Sequence, residues 1–362
     1  MNSEFVFQKM FTYLGNKRKL LDGIEELVIE IKNQIGVDKL RLMDGFTGST
    51  VVARMLSNHA SVLHTNDLEL YSLVAAKCFL EKPTSLEIDK IKYHIETMNR
   101  LALHTDGMEP GVITKMYAPK NTSDIKLGER CYFTRENALR IDFWRDYIDN
   151  KVEPNLKYWV LCPILISMSI NSNSMGHFKS FIKREGVGSF SMAGQRVVNP
   201  LVLELPIYNP NSCEVHCHQT DTVSLLNSIP DDSLDLIYLD PPYNQHEYGA
   251  FYFLLNVAAK NETPADVNAI TGLPKSRVKS AFNFLQSAKN GMTALLQRCT
   301  AVSKFTIVSY NDEGLIKPAD WDIILAPYTV RRIERTYQRY AAQGTKKENR
   351  GEVVEILYLI TK

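Results

Sequence analysis

Short strand-like runs alternate with amphipathic helical segments up to residue 81 and again after residue 212. Each run is too short for a typical helix, and most are followed by apolar residues at helical spacing. The runs are residues 40–43, 61–65, 214–218, 234–239 and 304–310. This alternation predicts an α/β protein with a mostly parallel, doubly wound sheet. Residues 323–330 and 353–360 are predicted to pair as a terminal antiparallel hairpin.

Between these two regions the pattern becomes helical. Thr84 and Glu87 have the spacing of a capping box, Thr134 can cap a further helix, and residues 158–170 are apolar enough for a buried helix. The predicted domains are an α/β domain formed by residues 1–81 and 213–362 and a helical insert formed by residues 82–212.

The composition is that of an ordinary globular protein and favours no single function. The chain has 362 residues, 44% of them hydrophobic, and a formal net charge of +1. Any contact with a polyanion must therefore come from local clusters of cations. The N-terminus lacks a targeting pattern, and the chain has no run of about 18 apolar residues. We therefore expect a cytoplasmic protein with reduced cysteines and no membrane segment.

Cys213, His216, Cys217 and His218 form a local group of residue types that bind metals. A zinc site needs a second ligand pair at suitable spacing, and none follows. Alternate residues of a strand also face opposite sides of a sheet. We therefore expect no metal site.

The sequence Asp240-Pro241-Pro242-Tyr243 directly follows the apolar run at 234–239. The prolines leave the chain stiff, and they keep the carbonyl groups at the strand end out of a helix. The Asp240 carboxylate and the Pro241 carbonyl can accept two hydrogen bonds, and Tyr243 can stack on a ring. This corner suits a planar group with an exocyclic amine. The alternative is an ordinary strand-ending turn with a core tyrosine.

A glycine turn, Asp44-Gly45-Phe46-Thr47-Gly48, joins the first strand to a helix. Such a turn lets the backbone approach a ligand and points helix N–H groups at it. The glycine spacing differs from that of dinucleotide sites and argues against an oxidoreductase. Asp67 ends the next strand about twenty residues later, where an acid typically binds ribose hydroxyls. Asp67 can alternatively cap a helix.

Three stretches carry cations that suit an anionic ligand or a nucleic-acid backbone. The first is Tyr13 to Leu20, where cations precede a helix although its N-terminus disfavours them. The second, at 171–200, combines glycines and serines with Lys179, Lys183, Arg184 and Arg196. The third separates the two predicted hairpin strands and contains Arg331, Arg332, Arg335, Arg339, Lys346 and Lys347. Ordinary solvated surface loops have similar compositions.

Taken in order, these motifs resemble the Dam-type (D12 class, α-group) adenine-specific DNA methyltransferases. The resemblance rests on YLGNKRKLL at 13–21, DGFTGS at 44–49, ND at 66–67, the helical insert, DPPY at 240–243 and the terminal strand pair. It covers nearly the whole chain. It implies the fold of S-adenosylmethionine-dependent methyltransferases, with the insert as the candidate target-recognition domain.

The resemblance also implies a set of site residues. S-adenosyl-L-methionine is expected to contact Tyr13, Lys17, Asp44, Gly45, Phe46, Gly48, Asp67, Asp221 and Asp240. A flipped adenine of double-stranded DNA is expected to contact Asp240, Pro241, Pro242 and Tyr243. A cognate restriction endonuclease acting on the same site is the expected partner.

Three alternatives stay open at this point. The corner recognises an amine on a ring, so that cytosine N4 in DNA or adenine N6 in RNA also fits. A DNA-binding protein on the same fold without turnover is the third alternative. Residues 244–248 differ from those expected in Dam itself, which leaves the DNA recognition sequence open. The sequence does not indicate the oligomeric state.

Overall fold

The computed structural model describes residues 3–192, 194–338 and 352–361. The α-helices are α1 (Ser3–Phe7), α2 (Leu21–Ile35), α3 (Val51–Leu56), α4 (Leu70–Leu80), α5 (Ser85–Leu101), α6 (Val112–Tyr117), α7 (Arg135–Lys151), α8 (Lys157–Asn171), α9 (Gln195–Val198), α10 (Thr222–Ser228), α11 (Tyr248–Phe251), α12 (Phe253–Lys260), α13 (Leu285–Val302) and α14 (Pro318–Leu325). The strands are β1 (Leu40–Asp44), β2 (Ala60–Asp67), β3 (Lys183–Arg184), β4 (Val187–Gly188), β5 (Glu214–Gln219), β6 (Leu234–Leu239), β7 (Ser303–Asn311), β8 (Thr329–Gln338) and β9 (Glu352–Thr361). Short 3-10 helices lie at Lys17–Lys19, Pro154–Leu156 and Ala281–Asn283.

The main sheet has seven strands in the order β5-β2-β1-β6-β7-β9-β8. The first five run parallel, and β9 pairs antiparallel with both β7 and β8. The register aligns Asp44 of β1 with Thr65 of β2 and with Tyr238 of β6. The carboxyl ends of these three strands therefore meet at one edge of the sheet, where such sheets bind ligands. The predicted mostly parallel, doubly wound sheet is confirmed.

Strand β6 is buried along its whole length because helices cover both faces of the sheet. Leu236 and Tyr238 belong to a hydrophobic cluster that includes α2, α3 and α4. Ile237 and Leu239 point to the other face and belong to a cluster that includes α10, α13 and α14. This alternation places the end of β6, and thus Asp240, at the centre of the carboxyl edge.

The segment 82–212 contains α5 to α9 and the small β3–β4 hairpin. The capping box of Thr84 and Glu87 is confirmed at the start of α5, and Thr134 caps α7 as predicted. The buried helix predicted at 158–170 is α8, which packs against α4. Buried residues of α5, α7 and α8 belong to the same hydrophobic cluster as those of α2 to α4. The insert is therefore joined to the sheet region through a shared core.

The predicted terminal hairpin is confirmed, but its first strand was placed wrongly. The first part of 323–330 belongs to α14, which begins with Pro318 and buries Trp321 and Ile324. Strand β8 instead contains Arg331, Arg332 and Arg335, which we predicted to lie in a loop. Because β8 is the edge strand, charged side chains protect it from pairing with another chain. An exposed edge strand therefore lacks the apolar pattern that identifies buried strands.

The cysteines are all free thiols, and four of them (Cys78, Cys131, Cys162 and Cys299) are buried. Among residues 3–192, 194–338 and 352–361, no group of three His, Cys, Asp or Glu side chains is arranged to hold a metal ion. His216 and His218 of β5 both stack on His64 of β2. In this described part of the chain, no helix combines the length and the apolar character needed to cross a membrane.

Candidate active site

A cleft opens at the carboxyl edge of the sheet, next to the ends of β1, β2 and β6. It is lined by parts of the N-terminal basic motif, the glycine turn, the end of β2, the corner after β6 and the segment 278–283. The lining residues predicted from the sequence are Tyr13, Lys17, Asp44, Phe46, Gly48, Asp67, Asp240 and Pro242. Tertiary structure therefore brings together motifs that lie more than two hundred residues apart in the chain.

The glycine turn packs too tightly for side chains at Gly45 and Gly48. The Gly45 N–H donates to the Tyr238 carbonyl at 2.9 Å, and a Cβ there would lie 2.9 Å from a methyl carbon of Leu239. Gly48 has φ of +48°, and a Cβ there would lie 2.9 Å from the Tyr13 hydroxyl. Both positions need glycine because any side chain would strain the backbone or displace a neighbour.

Asp67 binds the glycine turn to the end of β2. Its Oδ2 accepts a hydrogen bond from the Gly48 N–H at 2.7 Å, and its Oδ1 accepts one from the Glu69 N–H at 3.0 Å. Burial raises the pKa of Asp67 above its ordinary value. Helix α4 has Glu69, not Asp67, at its N-cap position. Asp67 thus stabilises the turn, and its ribose contact stays a prediction.

Two further carboxyl groups face the cleft. Asp44 is only 1% exposed, and burial raises its pKa to about 8. Burial also raises the pKa of Glu69 to about 7, and its Oε2 accepts a hydrogen bond from Asn256 at 2.5 Å. The sequence analysis missed Glu69, although its position two residues after Asp67 at a strand–helix junction was visible.

In the part of the chain that the structure describes, the corner after β6 has two acceptors without a hydrogen-bond donor, and one of them, Asp240, lines the cleft whereas Pro241 does not. Asp240 has a side chain that is 19% exposed, and its Oδ1 lies 3.0 Å from the Lys17 ammonium. Within the described ranges, no donor is hydrogen-bonded to Asp240 Oδ2 or to the Pro241 carbonyl oxygen. Burial raises the pKa of Asp240 to about 7, although the charge of Lys17 acts in the opposite direction. Two acceptors are therefore available at the position predicted from the sequence.

Lys17 lies between two carboxylates. Its ammonium donates to Glu355 Oε1 at 2.6 Å as well as pairing with Asp240. Burial lowers the pKa of Lys17, but Asp240 and Glu355 outweigh this effect and raise it well above the ordinary value. Lys17 is therefore a buried cation with two anionic partners. The sequence analysis missed Glu355, which lies within an apolar strand near the other end of the chain.

Aromatic rings form one wall of the cleft. Tyr13 stacks on Tyr248 at 5.2 Å and on Tyr252 at 4.9 Å between ring centroids. The Lys17 ammonium lies 5.3 Å from the centroid of the Tyr243 ring. A Cβ on Gly15 would lie 3.1 Å from the Tyr248 hydroxyl and 3.4 Å from that of Tyr243, so both hydroxyls lie close to the N-terminal motif.

The segment 278–283 closes the cleft opposite the glycine turn and was missed in the sequence. Phe282 packs edge to face on Phe46, with ring centroids 5.5 Å apart. The Asn283 side-chain amide donates to the carbonyls of Asn244 and His246 at 2.9 and 3.0 Å. It thereby holds the loop that follows the Asp240 corner. No sequence motif marks this segment, because its place in the cleft depends on contacts with residues far away in the chain.

Asp221 lies outside the lining of the cleft. It is exposed and caps α10, where its Oδ1 accepts a hydrogen bond from the Ser224 N–H at 2.9 Å. The next residue, Thr222, lines the cleft instead. The cofactor contact of Asp221 stays a prediction that the geometry of this side chain does not support.

The cations of the insert lie on exposed positions. Lys179 contacts the ring of Phe251 at 5.0 Å, and Lys183 contacts that of Phe181 at the same distance. Arg184 is exposed on β3, and Arg196 donates to the Ile170 carbonyl. Phe251 belongs to α11, which follows the Asp240 corner. Lys179 therefore contacts the helix that follows the Asp240 corner.

The cations near the C-terminus are arranged differently. Arg331 pairs with Glu30 at 2.6 Å and Arg335 pairs with Glu26 at 2.9 Å, both on α2. Arg332 pairs with Glu334 at 2.9 Å along β8. Arg339, Lys346 and Lys347 lie outside the described residues. The three arginines on β8 are thus matched by acids, which weakens the prediction that they bind DNA.

Several known proteins are similar to this chain over almost its whole length. The Type II methyltransferase M.CviAII of Paramecium bursaria Chlorella virus 1 is 28% identical over 359 residues, covering 96% of this chain and 97% of that relative. The Type II methyltransferase M.NlaIII of Neisseria lactamica is 25% identical over 361 residues, covering 97% and 99%. The modification methylase StsI of Streptococcus sanguinis is 26% identical over 368 residues, and this chain spans about half, 52%, of its length.

A protein-family model supports the same assignment. The model of the D12 class N6 adenine-specific DNA methyltransferases matches residues 13–310. This range begins at Tyr13 and contains the glycine turn, Asp67 and the corner at Asp240. The fold class that the resemblance implied, that of the S-adenosylmethionine-dependent methyltransferases, is confirmed. The chain belongs to the D12 class N6 adenine-specific DNA methyltransferase family.

Proposed function

We propose that this protein transfers a methyl group from S-adenosyl-L-methionine to the N6 amine of adenine at a specific site in double-stranded DNA. The observation that carries the proposal is the pair of free acceptors at the carboxyl edge of the sheet, Asp240 Oδ2 and the Pro241 carbonyl. Asp240 lines the same cleft as Gly48 of the tightly packed glycine turn, and Pro241 follows it directly.

The chemistry of the cleft fits this methyl donor. Its sulfonium and ammonium groups are cationic, and the cleft is lined by the carboxyl groups of Asp44, Asp67, Glu69 and Asp240. Gly48 of the glycine turn lines the cleft, where backbone N–H groups can bind a ligand. Phe46 and Tyr13 provide apolar surface for its adenine and methionine parts. When bound, S-adenosylmethionine supplies an electrophilic methyl group.

The corner residues act on the substrate amine. The N6 lone pair of adenine is delocalised into the ring and is a poor nucleophile. Asp240 and the Pro241 carbonyl accept hydrogen bonds from the two N6 N–H bonds and increase the electron density on nitrogen. The Asp240 carboxylate then accepts the proton that N6 loses. Tyr243 stacks on the base and holds its amine in line with the methyl group.

The target base must leave the DNA helix to reach this corner. Flipping costs a few kcal/mol of lost stacking and pairing, and stacking on Tyr243 recovers part of that cost. The Asp240 side chain is only 19% exposed, and the amine of a base that stays stacked and paired in a duplex is out of its reach.

We propose that the insert at 82–212 contributes to target recognition. Lys179 lies beside Phe251, and a Cβ on Gly176 would lie 3.1 Å from Thr12, the residue before the N-terminal motif. The exposed Lys179, Lys183 and Arg184 can bind phosphate groups next to the flipped base. The full-length similarity to Type II methyltransferases supports a role in restriction-modification, with an endonuclease that cuts the same site as partner.

The test is a product analysis. The purified protein is incubated with S-adenosylmethionine and unmethylated duplex DNA, and the nucleosides are identified by mass spectrometry. N6-methyladenine is the expected product. N4-methylcytosine, or methylation of RNA alone, would overturn the proposed substrate. Cofactor binding without any product would indicate a DNA-binding protein that has lost turnover.

A further inference from the structure

Glu355 is a buried acid in the middle of an apolar strand. It lies on β9, where its neighbours in sequence are Val354 and Ile356, and none of its surface is exposed. Leu357 and Leu359, on the same face of the sheet, belong to the hydrophobic cluster under α2. A carboxylate at such a position is costly unless it is paired and hydrogen-bonded. A position that packing alone determined would favour an apolar residue.

Two residues from distant parts of the chain bind this acid, and one of them, Lys17, connects it to Asp240. Glu355 Oε1 accepts hydrogen bonds from the Lys17 ammonium at 2.6 Å and from the Ser309 hydroxyl at 2.7 Å. Lys17 Nζ lies 3.0 Å from Asp240 Oδ1 on its other side. The side chains of Lys17 and Glu355 are 4% and 0% exposed, so that water screens their interaction little.

We infer that Glu355 is a positioning residue for methyl transfer, which holds the Lys17 ammonium partly away from Asp240 and so keeps an Asp240 oxygen free for the substrate amine. The inference rests on the proposed role of Asp240 as the acceptor for N6. It assigns to the terminal strand pair a function in the reaction, in addition to completing the sheet.

Lys17 carries one positive charge, whereas Asp240 and Glu355 together can carry two negative charges. One ammonium shared by two carboxylates can neutralise only one of them. Without the Glu355 charge, Lys17 would interact with Asp240 alone, occupy its oxygens and compete with the N6 amine. Without Lys17, Asp240 would remain a buried carboxylate with no cation and would hold a proton more strongly. The two changes therefore move the proton affinity of Asp240 in opposite directions.

Other groups near Asp240 also influence its charge state and must be present unchanged in each variant. They are Asp44 on β1, Tyr238 on β6, Tyr243 in the corner and Tyr248 on α11. Burial raises the pKa of each of these groups, so that they stay protonated near neutral pH or titrate slightly above it. Glu355 and Lys17 are thus the charged partners that a substitution can alter selectively.

The experiment measures kcat against pH for the full-length protein with Glu355→Gln, Glu355→Asp, Lys17→Met and the Lys17→Met/Glu355→Gln double variant. In Glu355→Gln, the acidic limb of the profile moves to lower pH by about one unit, the scale of one charge–charge interaction across a shared ammonium. Its maximum falls about tenfold because Lys17 competes for Asp240. In Lys17→Met the limb moves to higher pH. Glu355→Asp, which keeps the charge, restores part of the wild-type profile.

The double variant tests whether Glu355 acts through Lys17. In the Lys17→Met background there is no shared ammonium for Glu355 to hold, so that Glu355→Gln causes a smaller shift than it does in the wild type. Asp235→Asn is the matched control. Like Glu355, Asp235 is a buried, ion-paired carboxylate, but it lies on β6 at the end of the strand away from Asp240. It should leave the acidic limb unchanged.

The outcomes separate this inference from the proposed function. An unchanged acidic limb in folded Glu355→Gln, with Asp240→Ala inactive, overturns the role of Glu355 and leaves that of Asp240 intact. Turnover by Asp240→Ala overturns the proposed mechanism and the inference with it. If Glu355→Gln does not fold, Lys17→Met decides the question, since a limb that fails to move to higher pH contradicts the shared ammonium.

Discussion

The two ends of strand β6 each carry an ion-paired carboxylate, and the two differ in the number of cations that bind them. Asp235, at the start of the strand, is bound by both Arg41 and Lys304, with Arg41 Nη2 2.9 Å from Oδ1. Asp240, just after the end, has only Lys17, which it shares with Glu355. Burial raises the pKa of both acids, but the two cations lower that of Asp235 below its ordinary value, whereas that of Asp240 stays at about 7.

Both acids are ion-paired, but they differ in the number of cations per carboxylate. Two cations satisfy both oxygens of Asp235 and leave no acceptor for a ligand. One cation shared between two acids leaves an acceptor on Asp240, and acids with raised pKa values in clefts are candidates for catalysis.

Substitution of Asp240, the proposed acceptor, should produce the largest effect on activity. Asp240→Ala removes the proposed acceptor, and we expect methyl transfer to fall by about a thousandfold or more. The fold should be kept, because the site loses a carboxylate that is difficult to bury. Incorporation of labelled methyl groups into duplex DNA measures the change, and cofactor binding serves as the control. Near-wild-type turnover would contradict the contrast between the two acids.

Substitution of Asp235 should change stability instead of activity. Asp235→Ala leaves Arg41 and Lys304 without their shared partner and should lower the free energy of unfolding by about 2 kcal/mol. Both cations are partly exposed, so the loss should be at the lower end for a buried pair. Urea denaturation measures it. The rate per folded molecule should not change; a large loss of kcat would mean that Asp235 also affects the site.

The two acids should affect stability in different pH ranges. Asp235, with its lowered pKa, stabilises the fold above the unfolded value of about 3.9, and this contribution is lost as pH falls through its folded pKa. Asp240 and Asp44 titrate at about 7 and about 8, so that their contribution is present at low pH and is lost as pH rises through these values. Denaturation midpoints between pH 4 and 9 should therefore fall towards the alkaline end, and Asp44→Asn should flatten this fall.

Removal of Lys304 should have the smallest effect on stability, and removal of Lys17 should instead change activity. Lys304 is 48% exposed, and Arg41 still binds Asp235 in its absence. Lys304→Met should therefore cost less than about 1 kcal/mol of stability. Lys17→Met, at the other end of the strand, removes the sole cation paired with Asp240 among the described residues and should alter the pH dependence of turnover. Equal effects on activity would contradict the comparison.

Motifs that act within a short stretch could be predicted from the sequence. The strand-ending corner at Asp240, the glycine turn and the capping box of α5 each depend on residues within a few positions of one another, because proline, glycine and capping side chains act on their own backbone. The edge strand β8 was placed wrongly because it has a neighbouring strand on one side only. Its other side faces solvent, so that its sequence lacks the apolar signal of a buried strand.

The sequence by itself determined the α/β class, the family and the acceptors of the candidate site. Only the tertiary structure decided which groups surround Asp240 and influence its charge state. Lys17 and Glu355 are 338 positions apart in the chain, and they meet because β9 lies between β7 and β8. Asn283 lines the cleft and bonds to Asn244, which lies 39 positions earlier in the chain, and Phe282 packs on Phe46 of the glycine turn. The pKa of a buried acid depends on burial and on charges a few Å away in space, and neither quantity follows from local sequence pattern.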